Sequence, residues 1–489
     1  MPPKKTIAKP AKATKKPVKK VVAPTRTTKT NKTKTKSTVA KVRTSVVRTV
    51  GPMIPLAIAL AYGAATGPAT PPGGAGVGTA PPAVTSGMVA PQSCGGPSQP
   101  ACQTLAPLLQ KGRPVDWWFV FKFNSKVFPG CGGSAERACP FGGQPQTYKN
   151  YSQQFVYASS ESPTLQQGDG CAGDTTSDPI GATFDEVYNN SYHYVVWNDQ
   201  FYDDPDIAGC SESCGSPWGH SKGMLAWNDA GEGLVMQVST PSWPAAGSAT
   251  FPRKTDGNTL GCVKDNDIQV SQHFFALRLN KDDVVKVLMG LNNASVVTDP
   301  KNPQLVNNGG PADVQKLVAT LGVKSKSVTY STSQLSTGVE LISKPSKLQV
   351  PPWQMVSAIL GGVPLRTATW WANPEIASTT ASTTIACWDS SLKKPGAVEI
   401  ATTGHWSGKE FGLTGGLGTN YNHAKLGVST STTEHYSIFG DMNQQGTLSG
   451  TNCGSSQNGR GGTFYVVSNP QLSSSITSLI SGESAPPEK

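Results

Sequence analysis

Apolar residues gather in short, aromatic-rich runs separated by Gly, Pro, Asn and Asp, a pattern that predicts strands more than long helices. DWWFVFKF (116–123) is one such run; YHYVVWND (192–199), closing on a turn-prone Asn-Asp, is another. GMLAWND (223–229) and GLVMQVS (233–239) bracket a hairpin at Asp229-Ala230-Gly231-Glu232. QHFFALRL (272–279) predicts a further strand, and KDDVVKVLMGLN (281–292) predicts a helix. STTEHYSIFGDMN (431–443) and GGTFYVVS (461–468) continue the strand pattern toward the C-terminus. Strands with fewer helices between them predict an α/β or α+β fold with a mixed sheet.

The first ninety residues lack this texture. Residues 1–50 hold 16 Lys and Arg and no acid, in a Lys/Thr/Pro-rich segment without apolar periodicity. Such a segment buries too little surface to fold alone. It predicts a disordered basic tail that binds nucleic acid nonspecifically through counterion release, or a solubilising or targeting extension. Residues 51–67 form a short hydrophobic segment whose core, Ile54 to Ala61, contains Pro55. It is too short for an ordinary spanning helix, and it fits a signal-peptide core, a short anchor or a membrane-active patch alike. Residues 68–92 are Pro/Gly/Ala-rich and read as a linker.

This division changes what the charge means. The chain of 489 residues has a formal net charge of +11, but the other 26 of its 42 basic residues face 31 acidic ones. The body is therefore mildly acidic, and the basicity belongs to the tail. The folded domain is placed at 93–470, with residues 471–489 as a C-terminal tail. All ten cysteines lie between Cys94 and Cys453, without a repeated CxxC metal spacing. Several disulfides, and hence an oxidising compartment or particle, are the better reading. Sequons at Asn150, Asn189 and Asn293 are compatible with secretion.

The candidate chemistry lies in two matched stretches, GHSKGML (219–225) and NHAKLGV (422–428). A strand-borne His-x-Lys puts both side chains on one face of the strand. One group can then meet phosphorus while its neighbour neutralises a nonbridging oxygen. Two copies supply a neutral histidine as nucleophile and a protonated one as acid, with two lysines around the phosphoryl charge. No metal or cofactor is required. Of the other histidines, His193 and His273 lie in apolar runs and read as packed or hydrogen-bonded. His405, in TTGHWSGKEFG, reads as a loop residue, and His435 as structural. Trp117, Trp118, Trp370 and Trp371 are core residues or base-stacking platforms.

The flanks of the two stretches carry a resemblance. RPVDWWFVFKF, YVVWNDQ (194–200), GHSKGMLAWNDAGEGLVMQVSTPSWP (219–244), QHFFALRL, NHAKLGVS (422–429) with FGDMN (439–443), and GRGGTF (459–464) occur in order between about Arg113 and Val467. Together they resemble the deoxyribonuclease II family, a branch of the phospholipase D-like superfamily. The resemblance implies two pseudo-symmetric α/β halves, each a mixed sheet flanked by helices, stabilised by disulfides. It implies metal-independent acid endonuclease activity on double-stranded DNA, leaving 3′-phosphate ends through a phosphohistidine. By position it assigns His220, Lys222, His423 and Lys425 to catalysis, with Asn443, Asn198 and Asp199 supporting the site. Superfamily analogy makes His220 the nucleophile. The phospholipase pattern HxKxxxxD is incomplete: its last position holds Trp227 in one stretch and Thr430 in the other. That favours nuclease over phospholipase.

The alternative is an inactive nuclease fold serving as a DNA-binding or structural component, for instance of a virus particle. Family members start with an ordinary signal peptide, so the basic tail leaves localisation between secreted or lysosome-like and particle- or DNA-associated. A single chain with two halves needs no dimer to complete its site, and a homodimer stays open.

Overall fold

A computed structural model describes residues 104–488, apart from 203, 211, 212, 255, 256 and 263–267. The basic tail, the hydrophobic segment 51–67, the linker, Cys94 and Cys102 lie outside the described residues. No helix among the described residues is long and apolar enough to cross a membrane.

The aromatic-rich runs become strands. In the first half these are β1 (Trp117–Lys122), β2 (Phe155–Ser159), β3 (His193–Asn198), β4 (Lys222–Trp227), β5 (Gly233–Val238), β6 (Gln272–Leu279) and β7 (Val306–Asn307). The second half supplies β8 (Ser331–Gln334), β9 (Glu340–Lys344), β10 (Leu365–Ala368), β11 (Val398–Ile400), β12 (Leu426–Ser429), β13 (Tyr436–Gly440) and β14 (Gly462–Ser468). The first sheet runs β7-β3-β4-β5-β6-β1-β2, with a short strand Gln166–Gln167 at its edge. The second runs β11-β10-β12-β13-β14-β9-β8. The five central strands, β3-β4-β5-β6-β1 and β10-β12-β13-β14-β9, repeat one order, as two pseudo-symmetric halves require, while the edge strands are reached differently in each half. Neighbours are antiparallel throughout the first sheet, and the parallel pair of the second is β10–β11.

Each half ends its fifth strand in the same way. β6 is followed by Asn280, whose side chain caps the first turn of α1 (Lys281–Ala294) and forms a capping box with Asp283. β14 is followed by Asn469, which caps α2 (Pro470–Leu479), with Pro470 at the first helical position where no N–H is needed. Residues 471–489 are therefore not a tail. Leu472, Ile476 and Leu479 recur at i, i+4 and i+7 and are fully buried, as are Ile480 and Ala485 beyond them. A Ser/Thr-rich composition hides this helix, because its apolar stripe is only one residue wide.

Both sheets are apolar on the faces that meet. Phe439 stacks on Phe119 at 4.6 Å and on Phe275 at 4.5 Å, and Tyr465 lies 5.7 Å from Phe275, so β1, β6, β13 and β14 share one core. Trp118 is also core; its indole N–H donates to Thr183. Among the described residues, four disulfides join Cys131–Cys171, Cys139–Cys262, Cys210–Cys214 and Cys387–Cys453. They answer the expectation from the cysteine pattern and suit an oxidising environment. The Cys210–Cys214 spacing is thus a small disulfide loop, not half of a zinc site. His405 is not in a loop: it lies on the strand Thr403–Trp406 and pairs with Glu410 across a hairpin.

Candidate active site

The two His-x-Lys stretches do not lie within strands. β4 begins at Lys222 and β12 at Leu426, so each histidine sits in the extended segment that enters its strand. The reason is an exchange of backbone bonds between halves. His220 N–H donates to Gly461 O (2.9 Å), just before β14 of the second half. His423 N–H donates to Ser271 O (2.8 Å), just before β6 of the first half. Each histidine is therefore seated by the opposite half. Gly219 and Gly461 are needed for this approach: a Cβ on either would fall within 2.6 Å of the Ala294 carbonyl at the end of α1.

The four charged or titratable side chains converge. His220 feels the charges of Lys222, Arg460 and Lys425 as well as Asp199, and His423 feels Lys425, Lys222, His220 and Lys122. The lysines are 2–3 % exposed, and the histidines keep 7–8 %. Burial, reinforced by the surrounding lysines, holds both histidines well below the usual imidazole range.

In the first half, Lys222 Nζ contacts Asp199 Oδ1 at 2.5 Å, and Arg460 donates to Asp199 Oδ2 at 2.8 Å. Burial alone would raise the Asp199 carboxyl, but Lys222, His220 and Arg460 overcome it and hold it below the usual range. Arg460 also donates to the carbonyls of Cys214, Trp218 and Gly219, tying the small disulfide loop and the approach to His220 together. His220 Nδ1 lies 2.7 Å from Asp441 O. A carbonyl accepts only, so Nδ1 carries the proton and Nε2 keeps its lone pair.

A buried polar chain then runs to the other stretch. Asp441 Oδ2 accepts from Ser221 and Thr463, and its Oδ1 accepts from Gln237 Nε2 at 2.7 Å. Gln237 Oε1 lies 3.3 Å from His273 Nε2, and His273 Nδ1 accepts the Lys425 N–H at 3.1 Å. Lys425 Nζ donates to His423 O. The Trp370 ring meets the His423 ring edge-on at 4.2 Å. Burial raises the Asp441 carboxyl against the hydrogen bonds of Ser221, Thr463 and Gln237.

The expected supporting residues divide. Asp199 lies in the site. Asn198 spends its amide on the carbonyls of Thr240 and Trp243 and shapes the turn behind it. Asn443 bonds Gln445, two residues beyond the Asp441 that accepts from His220, and its Oδ1 is buried with no protein partner. His193 pairs with Asp229. His273, read as packed, is packed but joins the chain to Lys425. Of the four tryptophans considered for stacking, Trp370 reaches the site; Trp371 donates to Ile376 O. Asp441, Gln237 and Arg460 were not foreseen. FGDMN and GRGG, which hold Asp441 and Arg460, already stood in the quoted blocks, but a single acid or base in a loop sequence carries no spacing signal.

A search of curated proteins found no match. The family model for deoxyribonuclease II matches residues 106–484, most of the chain and both halves of the site. The chain belongs to the deoxyribonuclease II family, and this membership makes it a deoxyribonuclease of the hydrolase class.

Proposed function

We propose that the protein is a metal-independent endonuclease of double-stranded DNA, working at acid pH through a phosphohistidine and leaving 3′-phosphate ends. The observation that carries this reading is the reciprocal seating of His220 and His423 in one buried, lysine-rich site. His220 Nε2, with its lone pair set by the Nδ1–H bond to Asp441 O, attacks phosphorus. The P–O5′ bond breaks as His423 gives its proton to the leaving oxygen. Lys222 and Lys425 balance the nonbridging oxygens. Water, deprotonated by His423, then attacks phosphorus; the N–P bond breaks and the 3′-phosphate leaves.

The site's own charge supports chemistry without a metal. Lys222 and Arg460 already bind the Asp199 carboxylate, Ser221, Gln237 and Thr463 occupy the Asp441 carboxyl, and Lys425 adds a further positive charge beside both histidines, a donor set that repels a cation. It attracts a phosphodiester, whose negative charge favours the protonated form of His423. Acid pH then supplies the proton that burial alone withholds. The disulfides support a secreted or lysosome-like setting.

The test is plasmid cleavage at about pH 5 in excess EDTA, an acidity at which an ordinary histidine is protonated. Wild type should cut, and His220→Ala and His423→Ala should not. A folded wild type that binds DNA without cutting it would end the enzymatic reading.

A further inference from the structure

Two buried lysines lie outside the chemistry described above, and they occupy the same place in each half. Lys122 ends β1 and pairs with Gln272 of β6; Lys344 ends β9 and pairs with Gly462 of β14. Both are 0 % exposed. A buried ammonium group is costly unless it is hydrogen-bonded, so its acceptors mark what it holds. Lys122 Nζ donates to Val270 O at 2.6 Å and Ile268 O at 3.2 Å. Lys344 Nζ donates to Arg460 O at 2.9 Å and Asn458 O at 2.8 Å. In each half the acceptors stand one and three residues before the carbonyl that seats a histidine, Ser271 or Gly461.

We propose that Lys344 and Lys122 are reciprocal positioning residues: each fixes, in its own half, the backbone seat of the other half's histidine. Lys344 thus acts on His220, and Lys122 on His423. The Lys344 branch is reinforced. The Arg460 backbone it holds carries the guanidinium that grips Asp199, Trp218, Cys214 and Gly219 beside His220. This inference rests on the reading of the two histidines as the reacting pair. It extends that reading by placing the control of each histidine in the opposite half.

The deciding variant is Lys344→Met in the full chain, which keeps the apolar stem and removes the donors. Ring 15N signals of His220 and His423 would be assigned with the histidine variants and compared with wild type. The His220 signals should move while those of His423 hold. On plasmid DNA, kcat should fall about a hundredfold, as misplacement of a reacting group by about an ångström does, with KM little changed. Lys122→Met should move His423 instead. The charge of Lys122 also bears directly on His423, so the Lys344 variant carries the weight. If Lys344→Met does not fold, Lys344→Gln, whose uncharged amide nitrogen sits one bond closer to the backbone, gives the same reading. Unmoved His220 signals in a folded variant, or both histidines moving alike, would overturn the proposal. If wild type cuts no DNA the functional reading fails, while the ring signals still decide the positioning claim.

Discussion

The two halves share a frame and differ in what they hang on it. Their five central strands follow one order, the fifth of these leads into an Asn-capped helix, and each half seats the other's histidine. Counting along the matched registers, Trp370 stands where Asp199 stands, Thr463 where His273 stands, and Asp441 where Ser239 stands. In the first half the lysine meets a carboxylate, which an arginine from the second half also binds; the second half places an aromatic edge on its own histidine. A symmetric frame brings two equal groups together. In the mechanism proposed above, these unequal fittings would hold one imidazole neutral with a defined tautomer and let the other change its charge when substrate binds.

The largest effect should separate the two histidines by role. Each alanine variant should lose about four or more orders of magnitude in kcat on DNA, as removing one member of a concerted pair does. A p-nitrophenyl phosphodiester, whose leaving group needs no proton, should restore a burst of product to His423→Ala and none to His220→Ala. Equal rescue of both would erase the distinction between the halves.

Next comes the Asp199–Trp370 difference. Asp199→Asn leaves Lys222 and Arg460 buried without their counter-charge and should cost about 3–5 kcal/mol in urea unfolding. Trp370→Phe should cost about 1 kcal/mol or less, because it alters one ring contact. The folded value of Asp199 is depressed, so its stabilisation is present above the ordinary carboxylate pKa and is lost only as the pH falls below it. The Asp199 cluster should therefore survive at pH 5, and the stability gap between wild type and Asp199→Asn should close only below about pH 4.

An effect of opposite pH dependence belongs to the first half alone. Burial raises Asp174 to about 8 despite its bonds from Ala138 N–H and Gln153. Its folded value lies above its unfolded one, so its contribution is fully present below about pH 4 and is lost as the pH rises toward 8. The Tm of Asp174→Asn relative to wild type should thus climb between pH 5 and pH 8, by up to about 1.4 kcal/mol per pH unit when expressed as stability. A flat difference would mean that Asp174 is ionised throughout. Smallest for catalysis is the tail: deleting residues 1–50 should leave the cleavage rate at saturation unchanged but weaken DNA binding and flatten its salt dependence. An unchanged salt slope would exclude the tail as a DNA arm.

The strands, the helix after QHFFALRL and the paired stretches were legible because each is a local pattern: an aromatic-rich run, a capped periodic segment, a repeated triplet. The groups that join the halves were not. Asp441, Gln237 and His273 meet only when β13, β5 and β6 are brought together, and no spacing along the chain records that. Lys122 and Lys344 left a trace, a lysine closing an apolar run in WWFVFK and ELISK, but an isolated lysine at a strand end usually reaches solvent. The entry position of the histidines was also hidden, since it depends on carbonyls in the opposite half. Asn198 and Asp199 came together from the block YVVWNDQ, and since successive residues of a strand face opposite ways, Asn198 turns to the carbonyls of Thr240 and Trp243 behind Asp199.

The most direct test of the account is capture of the covalent intermediate. Wild type would be mixed with DNA bearing labelled phosphodiesters at pH 5, quenched in alkaline denaturant to preserve a phosphohistidine, and mapped by peptide mass spectrometry. The account predicts label on the peptide carrying His220, absent from His220→Ala. Label on His423, or cleavage without any labelled histidine, would contradict it.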